Sequence, residues 1–291
     1  MRAIFTEKQQ EGLIAHDGYV VIDFLSSNEL ETVKKTIPEL GYAENNDAKL
    51  WFSTTQETVD RKNEIYEKFY PVLQRATDRF LQDHKLIRIV VINKFPGGEA
   101  VKPHQHPNRV DESKYRSLTA WLPLTDTTVE IGTLHVVKSS HTIFVQHLRP
   151  YNDFTMFHNI TPRVLGKYSI PLLLKAGQIV IFDDRLIHWS PPNKTSSNRM
   201  VIQFDLLPRE IETDLTIYYR DNKDELSEYK INPKTYRESA LSHEKPDDLL
   251  LLGRKKQPKY KYNNRQFIAM MKAAHSENTK KNINFFQRLF Q

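Results

Sequence analysis

The sequence predicts an α+β protein whose core is mainly β: a small barrel or jelly roll behind N-terminal helices, with a C-terminal extension. Three observations carry this prediction. Capped, helix-periodic segments dominate the first 86 residues, whereas six short β-branched or alternating runs follow Leu86, each bounded by turn signals. A length of 291 residues at 39% hydrophobic content is enough to bury a sizeable core in one large domain or two small ones. No internal repeat interrupts the pattern.

Taken in order, Thr6 to Ala15 reads as a short helix, with Thr6 and Gln9 as a capping-box pair and Gly18 as the stop. Tyr19 to Leu25 is a buried strand. Ser26 and Glu29 form a second capping box, opening a helix that Pro38 ends. From Glu64 to about Leu81 the positions Ile65, Phe69, Leu73, Ala76 and Phe80 share one helical face, and Pro71 should kink that helix or begin a second one. The expected strands are Ile87–Phe95, Ser117–Leu124, Gly132–Val137, Ile170–Leu174, Gln178–Asp183 and Arg199–Leu206. Residues 1–210 are therefore read as the main domain. Residues 211–291 form a basic, partly helical extension, with helices at Gln266–Ala274 and Asn284–Leu289, that could support an oligomer.

Composition removes several classes of function. With no cysteine, disulfide scaffolds, thiolate nucleophiles and cysteine-ligated metals are excluded, so a metal has to sit on histidine, carboxylate or backbone oxygen. The nine glycines contain neither GxGxxG nor GxxxxGK[ST], which removes the usual phosphate-cradling loops. No signal peptide or membrane span is apparent, and a cytoplasmic protein without a membrane partner is expected. The net charge of +6 is uneven. Residues 251–291 carry ten Lys/Arg against one Asp/Glu, while the first 250 carry 32 against 35. The run from Arg254 to Tyr262 thus reads as a solvated linker or arm, and nucleic acid is not the expected partner.

The chemistry concentrates in two places. In Pro103-His104-Gln105-His106-Pro107, an extended backbone puts both histidines on one face, as two ligands of one metal require. In Lys175 through His188, a turn and a buried strand deliver a histidine, followed by Ser190 and, on the next strand, Arg199. A planar guanidinium suits bidentate binding of a carboxylate, so this set could hold a metal beside a carboxylate anchor.

These segments resemble the phytanoyl-CoA dioxygenase family of Fe(II)/2-oxoglutarate dioxygenases. The resemblance spans roughly residues 10–220. Asp17-Gly18-Tyr19-Val20-Val21-Ile22 is similar to the family's opening strand, and Ile92-Asn93-Lys94-Phe95-Pro96 precedes the metal motif. His104-Gln105 with Val110-Asp111-Glu112 resembles the HQD-containing segment. Trp121-Leu122-Pro123-Leu124 and Gly132 through Val137 with Ser140-His141 resemble the WIPL and NGxLxVVPGSH stretches, and Ala176 to Arg199 resembles the distal part. The resemblance implies a double-stranded β-helix, a cupin-like jelly roll, that uses Fe(II), 2-oxoglutarate as cosubstrate and O2 to hydroxylate a small or carrier-linked organic substrate. It places His104 and His188 as iron ligands, and Arg199 assisted by Ser190 on the distal carboxylate of 2-oxoglutarate. Trp121 and Thr119, alternating onto one strand face, and Asn93 or Lys94 before the metal motif are further candidates for cosubstrate contacts. Arg109, Trp51, Phe157 and His158 are candidates for the pocket mouth, and His135 and His141 are read as structural.

One departure is serious, because the family's second ligand is an aspartate and this chain has His106. Three readings are open: a working third ligand in a three-imidazole site, a non-ligand in a metal-binding pseudoenzyme or binding module that has lost turnover, or a bystander to Asp111 or Glu112. Three neutral ligands leave the iron its full charge and favour anionic ligands. The Gly or Ala that opens a halide site in related halogenases is absent.

Overall fold

The computed structural model describes residues 3–40, 49–145, 147–211 and 215–274. Helix α1 (Lys8–Asp17) ends at Gly18, which adopts φ +84° as the stop signal requires. The expected Thr6–Gln9 box does not form. Glu7 occupies the N-cap without a side-chain bond, and the Thr6 hydroxyl donates instead to the Phe80 carbonyl. Strand β1 (Tyr19–Asp23) leads into α2 (Ser27–Glu39), which opens on the full Ser26/Glu29 capping box and ends one residue beyond Pro38. After β2 (Leu50–Phe52) and α3 (Ser53–Gln56) comes α4 (Val59–Thr77), capped by the Thr58 side chain. It runs through Pro71 as a single helix, so no second helix begins there, because Ile65, Phe69, Leu73 and Ala76 hold it on the core.

The remaining strands of the barrel are β3 (His84–Lys94), β4 (Val101–His104), β5 (Leu118–Pro123), β6 (His135–Val136), β7 (Ile170–Pro171), β8 (Gln178–Asp183), β9 (His188–Ser190) and β10 (Arg199–Pro208). They form two antiparallel sheets, one of six strands in the order β1-β8-β5-β10-β3-β2 and one of four in the order β4-β9-β6-β7. This is the predicted jelly roll. The short helices α5 (Ser140–Ile143) and α6 (Pro162–Tyr168) lie in the connections.

Alternation sorts the six-stranded sheet cleanly. Ile89, Val91, Leu118, Ala120, Leu122, Ile202 and Phe204 face the helices, and Val90, Ile92, Trp121, Val180, Phe182 and Val201 face the barrel interior. On the interior face the same period of two places Arg88 and Lys94 on β3, Thr119 on β5, and Arg199, Gln203 and Asp205 on β10. The interior face therefore combines apolar packing with polar and charged side chains.

The C-terminal segment is partly helical, as expected, but it also holds a sheet that the sequence does not announce: β11 (Leu215–Arg220), β12 (Glu225–Ile231) and β13 (Leu250–Lys256) form three antiparallel strands, with α7 (Pro233–Glu238) between the last two. The basic run expected to be a linker begins as β13, because Lys255 and Lys256 pair in register with Leu226 and Glu225. Ile217, Tyr219, Ile231 and Tyr236 share a buried cluster with Ile87, Val110 and Leu207, so the extension packs onto the ends of β3 and β10. Residues 264–274 are helical and bury Phe267 and Met271 against Phe144 and Phe157, as the sequence suggests. The other expected helix, Asn284–Leu289, falls outside the described residues. No described helix is long and apolar enough to cross a membrane.

Candidate metal centre

Strands β4 and β9 pair so that His104 stands directly opposite His188. His106 follows two residues after His104, and the main chain there is fixed by Asp184, whose carbonyl accepts from the His106 N–H at 2.8 Å. The ligand atoms of His104, His106 and His188 lie within 4.8 Å of one another, a separation that one cation with bonds of ~2.0–2.1 Å to nitrogen spans after small side-chain rotations. Among the described residues no carboxylate joins this cluster. Asp111 instead accepts from Ser113 and pairs with Lys114, and Glu112 pairs with Arg149, which removes the bystander reading of His106.

Each ring has its Nδ1 engaged, leaving Nε2 for the shared centre. His104 Nδ1 meets the Lys102 carbonyl at 2.8 Å and His188 Nδ1 the Leu186 carbonyl at 2.9 Å, contacts that fix ring orientation. His106 Nδ1 meets the Thr119 hydroxyl at 2.6 Å. Burial pushes the His104 imidazole down to about 4, and burial also drives His106 and His188 well below the ordinary histidine range, with the neighbouring rings and Arg109 adding to the effect. At neutral pH all three are uncharged, with lone pairs free to bind a cation.

A cavity of about 140 Å³ opens beside the triad, lined by Trp121, Ser190, Arg199, Gln203 and the three histidines. Arg199 is 2% exposed; its Nη1 donates to the Gly132 carbonyl, its Nε has no partner, and the guanidinium lies 5.4 Å from the Trp121 ring centroid. Its register partner Lys94 is fully buried, with Nζ donating to Ser190 Oγ at 2.6 Å and to the Pro191 carbonyl at 2.7 Å. Burial, and secondarily Arg199, lowers the Lys94 ammonium to about 6. Gly132 makes room for this pair: at φ +83°, an added Cβ would lie 2.7 Å from the Pro191 carbonyl and 3.2 Å from Lys94 Cδ.

Several expected site residues are reassigned. Asn93 alternates with Ile92 and Lys94, so it faces the helix side with Val91, away from the cavity, and its Oδ1 lacks a partner. Lys94 is the member of that pair beside Arg199. Thr119 shares the interior face with Trp121 but contacts His106 and Asp184, and it does not line the cavity. Arg109 is no mouth residue: it is 1% exposed and ion-paired with Asp184 at 2.9 Å and Asp205 at 3.0 Å. Trp51 and Phe157 are buried core side chains. His141 is structural, with Nε2 on the Ala15 carbonyl.

Residues 14–201 match the family model described as phytanoyl-CoA dioxygenase (PhyH). The chain belongs to the phytanoyl-CoA dioxygenase family. The matched span carries all three histidines, Lys94 and Arg199, and it ends before β11. A similar protein, "Dioxygenase trt7" of Aspergillus terreus, is 22% identical over 223 residues, covering 69% of this chain and 73% of that protein. Among solved structures, HygX from Streptomyces hygroscopicus, crystallised with nickel and 2-oxoglutarate, superposes with a TM-score of 0.51 at 15% identity, covering 69% of this chain and 87% of that one. The non-heme alpha ketoglutarate dependent epimerase SnoN from nogalamycin biosynthesis also gives 0.51, at 16% identity, covering 84% and 98%. These similarities establish the shared fold.

Proposed function

We propose that this protein is an Fe(II)- and 2-oxoglutarate-dependent oxygenase that hydroxylates a small organic molecule. The observation carrying this reading is that one cavity is bordered both by three converging neutral imidazoles and by the buried guanidinium of Arg199, with Lys94 as its register partner, so that groups suited to a cation and to a dicarboxylate share one space. A buried guanidinium whose Nε has no hydrogen-bond partner, and which pairs with no carboxylate, among the described residues fits one end of a dicarboxylate. The chemistry of the donor set fits a borderline cation such as ferrous iron.

His104, His106 and His188 would hold the metal and leave positions on it free. Bound iron with 2-oxoglutarate supplies the oxidising chemistry, in which O2 is consumed, 2-oxoglutarate becomes succinate and CO2, and a substrate C–H becomes C–OH. Arg199 grips the distal carboxylate, Ser190 and Lys94 support it, and Trp121 walls that end against water. Because none of the three histidines carries a charge, the metal-end carboxylate of 2-oxoglutarate would offset part of the metal's charge while the distal carboxylate offsets Arg199, which favours cosubstrate binding.

His104 and His106 also border a second hollow of about 160 Å³, lined by Thr54, Thr55, Arg88, Tyr151, Phe154 and residues 239–242, in which the Arg88 charge is already paired with Asp205 at 2.8 Å. His104 and His106 line both hollows and Arg199 lines only the first, so a molecule in the second would border the same histidines without meeting Arg199. Its hydroxyl-bearing walls suit a small neutral polar substrate. Part of that wall comes from the C-terminal extension, which gives the extension a role in substrate choice. A reducing cytoplasmic setting, where iron stays ferrous, belongs to this reading.

The test is turnover. Anaerobically iron-loaded protein given 2-oxoglutarate and O2 should form succinate, and His188→Ala should abolish it. Iron-loaded protein that binds 2-oxoglutarate yet never forms succinate, across a panel of small polar compounds, would favour a non-catalytic binding module instead.

A further inference from the structure

We infer that Thr119 and Asp184 are positioning residues for His106, fixing which of its nitrogens is left bare for the metal. The inference rests on the iron reading only for the identity of the cation, because the contacts stand in the protein itself.

Proton counting makes the case. Thr119 Oγ1 has one proton and lies 2.7 Å from Asp184 Oδ1, on a carboxyl group that already accepts from Ser117 and pairs with Arg109 and so serves as acceptor here too. The hydroxyl proton therefore goes to Asp184, and Oγ1 must act as acceptor towards its remaining neighbours. These are His106 Nδ1 at 2.6 Å and Arg109 Nη2 at 3.3 Å. His106 thus carries its proton on Nδ1, and Nε2 is the bare nitrogen. Asp184 is held for this task by Ser117 and by Arg109 Nη1 at 2.9 Å, and its own carbonyl fixes the His106 main chain. His106 is gripped at backbone and ring by one residue of the β8–β9 turn.

The device works by orientation more than by charge. Asp184 Oδ1 and Arg109 Nη2 both lie 3.4 Å from His106 Nδ1, so the ring meets one group of each sign at the same distance. The buried chain continues through Asp205, which pairs with Arg109 at 3.0 Å and Arg88 at 2.8 Å, giving two carboxylates against two guanidiniums. The four charged side chains of this buried network, Asp184, Asp205, Arg109 and Arg88, balance two against two. Asp184 therefore does not replace the electrostatic effect of the aspartate that relatives place on the metal. It supplies the tautomer and the aim that an imidazole at position 106 needs.

The experiment compares Thr119→Val with Thr119→Ser, each alone and in a His106→Ala background. One readout is the nitrogen NMR signature of the His106 tautomer in metal-free protein, and the other is Co(II) affinity by competition. Wild-type protein should show the Nδ1–H tautomer. Thr119→Val should erode it and weaken Co(II) binding roughly 10- to 100-fold, the usual effect of losing such a partner. Thr119→Ser should stay within about threefold of wild type, and the valine penalty should vanish once His106 is alanine. An unchanged tautomer and affinity in Thr119→Val, or a penalty that persists undiminished in the His106→Ala background, would overturn the inference. Wild-type protein that fails to bind Co(II) would count against the metal reading alone, because the tautomer readout still decides the role of Thr119.

Discussion

Lys94 offers a prediction with a calculable size. Free of ligand, its ammonium is lowered to about 6 by burial and then by Arg199. At pH 7.5 the group is therefore only about 3% charged. A carboxylate beside it favours the charged form and raises its pKa, so binding 2-oxoglutarate should draw nearly one proton from solution. Arg199, lowered by burial only to about 10, is charged throughout and adds nothing to this count. The sign follows from linkage: a binding event that takes up a proton weakens as pH rises, here by about tenfold per unit, or 1.36 kcal/mol, between roughly pH 7 and 9. The assay is anaerobic calorimetry of 2-oxoglutarate binding at pH 7.5, in buffers of differing ionisation enthalpy. Proton uptake near one in wild-type protein and near zero in Lys94→Met is expected. Zero uptake in the wild type, or equal uptake in both proteins, would refute the placement of the cosubstrate carboxylate beside Lys94.

Other perturbations follow from the same geometry. Arg199→Leu removes the one fully charged group at the carboxylate end and should weaken 2-oxoglutarate binding by at least ~2 kcal/mol, about 30-fold, in the same titration with iron retained. His106→Asp places a shorter side chain beside Thr119, whose single proton is already committed to Asp184; metal affinity and succinate formation should both fall, and a rise in succinate would instead mark a decayed ancestral site. Tyr236→Phe deletes the hydroxyl that donates to Asp205 at 2.8 Å, and it should lower stability by ~1–3 kcal/mol, read as an earlier urea midpoint, even though α7 lies beyond the span matched by the family model.

How legible each feature was in the sequence depends on the range of the forces that set it. Strand β8 appears at its predicted bounds, because an apolar run between a Gly177 turn and a pair of acidic residues has no other local solution. The Ser26 cap appears as expected for the same reason. The histidine cluster is legible because His104 and His106 are close in sequence and His188 follows a few residues after β8, a strand that declares itself. Arg109 was not: nothing near it in sequence reveals that Asp184 and Asp205, on distant segments, enclose it. The choice between Asn93 and Lys94 turns on strand parity, which is set by tertiary packing of β3 between β10 and β2. The C-terminal sheet was missed although Leu226, Tyr229 and Ile231 are buried in β12, because the charges around them masked the alternation.

The most direct measurement is an anaerobic titration of Fe(II) followed by 2-oxoglutarate, comparing wild-type protein with His106→Ala and His188→Ala. One iron per chain is expected, with a new visible charge-transfer absorption when 2-oxoglutarate is added, and both alanine variants should lose it. Full iron binding and an unchanged absorption in His106→Ala would contradict a centre built from three neutral imidazoles.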